Sequence, residues 1–122
     1  MTKKVRSTTS LAAAVVLAFA GVVQLAAHHG WGEYDSRKPI TLTGTIKAAG
    51  YENPHSFVDL DVNGKVWHAV LAPPTRMQAR GVTRDMLKPQ GTVTVMGFPH
   101  KTNTIEMKTE TITIGGKTTN IR

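Results

Sequence analysis

Five histidines carry most of the chemistry this chain can offer, and two of them, His28 and His29, stand together where an apolar leader gives way to polar sequence. There is no cysteine, which excludes disulfides, thiolate metal sites and thiol nucleophiles. If the chain is cut after Ala27, His28 becomes N-terminal. Its amine and ring Nδ1 can then chelate Cu(II), with a further imidazole completing a T-shaped set of nitrogens. A free α-amine, with a pKa of about 7.7 to 8, is a practical ligand near neutral pH, and nitrogen donors in tetragonal geometry favour copper. A cut after Ala26 instead puts a histidine third, where amine, backbone amides and ring chelate Cu(II) or Ni(II). Either end is competent for copper. His29 is adjacent to His28 and strained for a shared planar set, so His55, held behind Asn53-Pro54, is the preferred partner, with His29 and His100 as alternatives. The expected metal residues are therefore His28, His29 and His55, and the expected ion is copper.

The remaining candidates read more plainly. His68 falls opposite Asp59 across a hairpin, either a ligand oriented by a carboxylate or a surface pair worth roughly a few tenths of a kcal/mol. His55 and His68 come out roughly 13 Å apart at 3.3 Å per strand residue, too far to share one ion. His100, behind Phe98-Pro99, reads as a solvated loop residue. Met77, Met86, Met96 and Met107 invite a thioether site for Cu(I), but core packing is the default for Met107 and for Trp67. No Ser-His-Asp set, carboxylate pair or phosphate loop can be assembled from the spacing. Glu33, Asp35 and Glu52 read as solvated, and the chain is not expected to be an enzyme.

These residues need an address and a scaffold. Lys3, Lys4 and Arg6 precede an apolar run of thirteen residues from Leu11 to Val23, ending near Ala26-Ala27. That is the three-part pattern of a secretory signal peptide, and the run is shorter than the roughly 18 to 20 residues of a spanning helix. Export to the periplasm or beyond is expected, with cleavage after Ala27 and no stable membrane span afterwards; an uncleaved anchor is the alternative. The 95 residues left suit one small domain. They keep all eight acids and lose three of the 15 basic residues, leaving a net charge of +4. With no basic run longer than Arg37-Lys38, nucleic acid is not an expected partner.

Residues 28–39 read as an irregular arm and 40–122 as the domain. Ile40, Leu42, Gly44 and Ile46 alternate with threonines, the period of a half-buried strand, with a bend or bulge at Gly44 and a loop from Ala48. Asn63-Gly64 is the strongest short hairpin signal. Counting outward, Leu60 faces Trp67 on the core side while Asp59 faces His68 outside. Pro73-Pro74 stops that strand, and one or two short helices over Thr75–Leu87, broken at Gly81 with Thr83 as an N-cap, should plug a barrel end. Val93 and Val95 mark a fourth strand. Ile105 and Met107 have the opposite parity to Ile112 and Ile114, which predicts a bulge over Thr109–Thr111. The expected fold is all-β: a small five- to six-stranded barrel like the oligonucleotide/oligosaccharide-binding (OB) fold, with one or two short helices and preceded by a signal-peptide helix. An open β-sandwich is the alternative.

The combination of His28-His29, Asn53-Pro54-His55, Trp67 on the third strand, Pro73-Pro74 and the Gly91 to Gly97 strand resembles an uncharacterised family of small exported bacterial proteins. The likeness covers nearly all of residues 28–122 and implies export and the barrel, but no activity. A more distant similarity, in size, address and architecture, is to periplasmic OB-fold copper and silver chaperones, whose closely spaced Trp and Met pattern on one hairpin is absent here. The expected function is that of an exported binding protein for copper. The alternative is a metal-free module whose outer face, with Phe57, Val66 and Val70, docks a protein or envelope partner.

Overall fold

Asn63 and Gly64 adopt positive φ angles of 53° and 87°, the backbone a two-residue hairpin turn demands. The Asp61 carboxylate accepts the Gly64 N–H at 2.8 Å and secures the turn. In the computed structural model, which describes residues 2, 3 and 30–122, the strands are β1 (Ile40–Gly50), β2 (Phe57–Val62), β3 (Lys65–Val70), β4 (Thr92–Pro99), β5 (Glu106–Ile114) and β6 (Lys117–Asn120), with one helix, α1 (Pro74–Ala79). The chain divides into two compact units, 1–32 and 33–122, and all six strands belong to the second. The leader, His28 and His29 lie outside the described residues. No helix among the described residues is long and apolar enough to cross a membrane.

The hairpin register is the one the turn predicts: Leu60 pairs with Trp67, Asp59 with His68 and Phe57 with Val70. β1 serves two neighbours, pairing with β4 through Ile40–Thr45 and with β2 through Thr45–Gly50. Its register shift falls between Ile46 and Ala48, not at Gly44. Gly44 has another job. A Cβ there would sit 2.5 Å from the Asp61 carbonyl oxygen, so only glycine lets β1 bend this closely over β2. Ala48–Gly50, expected as a loop, extends β1, because pairing with Asp59, Val58 and Phe57 outweighs the weak strand preference of Ala and Gly.

The strand order is β3-β2-β1-β4-β5-β6, and a parallel pairing of β3 with β5 closes the first five strands into a barrel with β6 as an added strand. This is the expected OB-like architecture, and closure leaves five of the strands without a free edge. Met96 faces Thr111 but Gly97 faces Thr109, so Glu110 is the extra residue of a bulge inside the predicted span. That bulge lets Met107 and Ile112, of opposite parity, both point inward, where each is fully buried.

α1 starts at Pro74, and a second, 3-10 turn (Arg84–Met86) follows Thr83, with Gly81 at φ +81° between them. Met77, Val82 and Leu87 from this segment join Ile46, Val58, Leu60, Val95 and Ile112 in one core, so the segment plugs the barrel as expected. The Tyr51 hydroxyl donates to the Val82 carbonyl at 2.6 Å and ties the plug to the end of β1.

Trp67 departs from expectation. It faces inward by parity, like Ala69, yet it is only partly buried and stands outside the core cluster. It lies three residues past Gly64, close enough to the hairpin tip that Lys65 places its ammonium 4.3 Å from the ring centroid. A cation over the indole face is favourable there.

Candidate functional site

Alternation along the strands sends Val58, Leu60, Ala69 and Met107 inward, so their neighbours Asp59, His68 and Glu106 share the outer face. Pairing then aligns them. Asp59 on β2 pairs with His68 on β3, His68 pairs with Glu106 on β5, and the His100 N–H donates to the Glu106 carbonyl at 2.9 Å. An isolated bridge between Tyr34 and His100 extends the row into the segment before β1. Acidic and imidazole side chains therefore alternate across the barrel surface in the order Asp59, His68, Glu106, His100.

Each contact has a defined polarity. His68 Nδ1 lies 2.7 Å from Asp59 Oδ1, and its ring rests against Phe57 with centroids 4.9 Å apart. The Tyr34 hydroxyl donates to Glu106 Oε2 at 2.8 Å. His100 Nε2 faces Glu33 Oε2 at 3.5 Å and Glu106 Oε2 at 3.9 Å. On the other side of that ring, Nδ1 accepts the backbone N–H groups of Thr102 at 3.1 Å and Asn103 at 3.0 Å. His100 thus caps its own loop, and its side chain is only 16% exposed, which corrects the expectation of a solvated residue. Glu33, expected to be solvated, is partly covered by the same contact. The cause lies in the Glu33–Asp35 segment: Asp35 N–H bonds to the Pro99 carbonyl and Lys101 N–H to the Glu33 carbonyl, laying Tyr34 edge-on to the His100 ring.

A second outer row runs Phe57, Val70, Lys108, Phe98. Lys108 is 8% exposed, with its ammonium 5.8 Å from the centroid of the Tyr34 ring. Burial first, and then the Arg76 charge, hold its pKa below the usual lysine value, with Glu33 pulling the other way. Tyr34 is pushed well above the normal phenol range, first by burial, then by its hydrogen bond to Glu106 and by the Glu106 and Glu33 charges. A phenol pKa raised by folding contributes stability that is intact below about pH 10 and lost as pH rises beyond it. The melting temperature should therefore fall from about pH 10 upward, and the fall should be smaller in Tyr34→Phe. Lys108 works in the opposite direction, since loss of its proton relieves a buried charge, but its effect is complete once pH passes the ordinary lysine value of about 10.4 and is shared by both proteins. An equal alkaline loss in the two would refute the role of Tyr34.

His55 precedes β2 with its Nδ1 enclosed, while His28 and His29 are outside the described residues. Among the described residues no three His, Asp or Glu side chains are grouped to hold a metal ion. A cavity of about 410 Å³ opens elsewhere, against the end of β1 and the 3-10 turn, lined by Tyr51, Arg84, Leu87, Lys88 and Pro89 among others. It contains no histidine. The Tyr34–Glu106 contact joins residues 72 apart in sequence, and no local spacing signals it.

Residues 15–117 match the model of DUF6152, a family of unknown function. The chain belongs to this family. No curated protein matches this DUF6152 chain. Among solved structures it is similar to TiaS in the crystal structure of its complex with a tRNA and ATP, at 19% identity and a TM-score of 0.50 over 66% of this chain. The chain spans 19% of the length of that protein. At this identity the likeness is one of fold.

Proposed function

We propose that this DUF6152 chain is an exported small binding protein that takes up copper through a processed N-terminal His28, with a second histidine of the chain completing the set. The observation that carries the reading is the position of His28 and His29 directly after Ala26-Ala27, at the end of a basic-then-apolar leader. Cutting there turns an ordinary side chain into a bidentate nitrogen ligand, and the absence of cysteine leaves nitrogen and thioether donors as the ones a copper ion can find. On sequence grounds His55, held behind Asn53-Pro54, is the preferred second histidine. The intact mass of the exported protein should correspond to residues 28–122, and titration of that species with Cu(II) should saturate at one ion per chain. Retention of the leader on the exported protein would remove the basis for the site.

A metal-free docking module is the second reading. It is favoured by the outer face of β2 and β3, where Val66 is 45% exposed beside the partly exposed Phe57 and Val70. This is the face on which OB barrels bind their ligands. Copper-independent capture of a periplasmic partner, lost on Val66→Asp, would favour it.

A further inference from the structure

We propose that the cavity at the end of β1 binds a small amphipathic anion, one with an oxyanion head and an apolar body. The site goes beyond the copper reading and does not rest on it, since no histidine lines this cavity. Its volume of about 410 Å³ falls within the roughly 300 to 1,000 Å³ of ordinary small-molecule sites. Most of the wall is carbon. Ala49 and Gly50 end β1, Leu87 and Pro89 follow the 3-10 turn, and Tyr51 adds its ring. The polar atoms of Tyr51 are used inside the protein: its hydroxyl donates to the Val82 carbonyl at 2.6 Å, and its own carbonyl accepts from Arg84 at 3.0 Å. Such a wall favours an apolar body, which gains by leaving water and strips no polar group of its partner.

Charge sets the head. The Arg84 guanidinium has five N–H donors; one goes to the Tyr51 carbonyl, and the guanidinium carbon lies 5.4 Å from the centroid of the Tyr51 ring. Those contacts hold the fork at the cavity wall, and its remaining donors have no acceptor among the described residues. Lys88 lines the same cavity, and its ammonium likewise has no hydrogen-bond acceptor among the described residues. The lining holds one acid, Asp85, whose Oδ1 accepts the Thr83 hydroxyl at 2.7 Å and so serves the cap of its own turn. Two cations against one engaged carboxylate leave a positive excess, and low-dielectric walls focus its field on an approaching anion. A planar guanidinium matches two oxygens of a carboxylate or phosphate, and an ammonium beside it acts as a point charge. Neither cation belongs to the core cluster, so replacing one opens no hole in the barrel.

The test uses the chain expressed with its own leader and purified, with octanoate as the probe, read by calorimetric titration and thermal unfolding. Octanoate should saturate at one per chain and raise the melting temperature, because it binds the folded state alone. Octanol, which keeps only the body, should bind at least about 10-fold more weakly than octanoate, and inorganic phosphate, which keeps only a head, at least about 10-fold more weakly than octyl phosphate. The tighter of octanoate and octyl phosphate assigns the head as carboxylate or phosphate. Arg84→Gln should weaken octanoate about 10- to 100-fold, the range for losing a hydrogen bond to a charged group, and Lys88→Gln by less; neither should change octanol. Ala49→Trp, which fills the cavity from an exposed strand position, should abolish binding of both. Octanol as tight as octanoate would overturn the anionic head, and inorganic phosphate as tight as octyl phosphate the apolar body. Wild-type octanoate affinity in a folded Ala49→Trp protein would overturn the location. Should Arg84→Gln lose its fold by circular dichroism, Lys88→Gln and Ala49→Trp carry the test. No saturable binding of either octanoate or octyl phosphate refutes the site, whatever the chain does with copper.

Discussion

Three residues placed ahead of His28, enough to keep any histidine out of the first three positions, should abolish tight copper binding by the processed chain, although every side chain is kept. The added residues move the free amine away from the His28 ring and put an amide in its place, and with no histidine third the amine–amide chelate cannot form instead. Removing an outer support of a metal ligand costs about 10- to 100-fold in affinity, so removing a direct ligand of a three-nitrogen set should cost more than about 100-fold. The pH dependence has a definite sign. The amine, with a pKa of about 7.7 to 8, and imidazoles near 6.5 must be deprotonated to ligate, so protons compete with copper and binding should weaken steeply below about pH 6. Chelator-competition titrations of the two N-termini across pH 5 to 8 measure both effects. Equal affinity of the extended and processed forms would place any copper site elsewhere.

The second large effect is on stability. Leu60→Ala should destabilise the barrel by about 2 to 5 kcal/mol, the range for truncating a buried leucine whose surroundings collapse only in part. Leu60 is completely buried, and it is paired with Ile46 on one side and Trp67 on the other, so the cavity would open between three strands of a closed barrel. In a domain of this size each kcal/mol shifts the melting temperature by about 4 to 8 °C, so a loss of roughly 8 to 40 °C is expected. Trp67→Ala should cost less, about 1 to 2 kcal/mol, because the indole is already partly in solvent beside Lys65. Thermal unfolding of the two variants checks the ranking. A larger loss for Trp67→Ala would mean that the tryptophan, not Leu60, anchors this part of the core.

Local chemistry explains what was legible beforehand. Asn63-Gly64 sets the hairpin register because both turn positions need positive φ, and once the turn is fixed every cross-strand pair follows by counting. The parity break between Met107 and Ile112 located the β5 bulge because both residues need the core, and a strand with one extra residue is the way to bury both. Pro73-Pro74, Gly81 and Thr83 marked the helical plug through backbone constraints that act within a few residues. The same kind of signal underlies the proposed cut after Ala27, and with it the proposed copper terminus.

What the sequence determined by itself, then, is the set of strands, the OB-like order they form and the hairpin that sets Asp59 against His68. The tertiary structure decided what depends on distant segments meeting. The closing contact of β3 with β5 carries His68 to Glu106, the residues around Tyr34 lie over the end of β4, and His100 turns its Nδ1 to its own loop and so leaves solvent. It also decided that Trp67 stops short of the core and that Gly44 makes room for the Asp61 carbonyl. The physical reason is the range of the forces. Turn dihedrals, parity and capping act within a few residues and can be read along the chain, whereas burial, tautomer and the alignment of charges are set only when barrel closure brings together residues tens of positions apart.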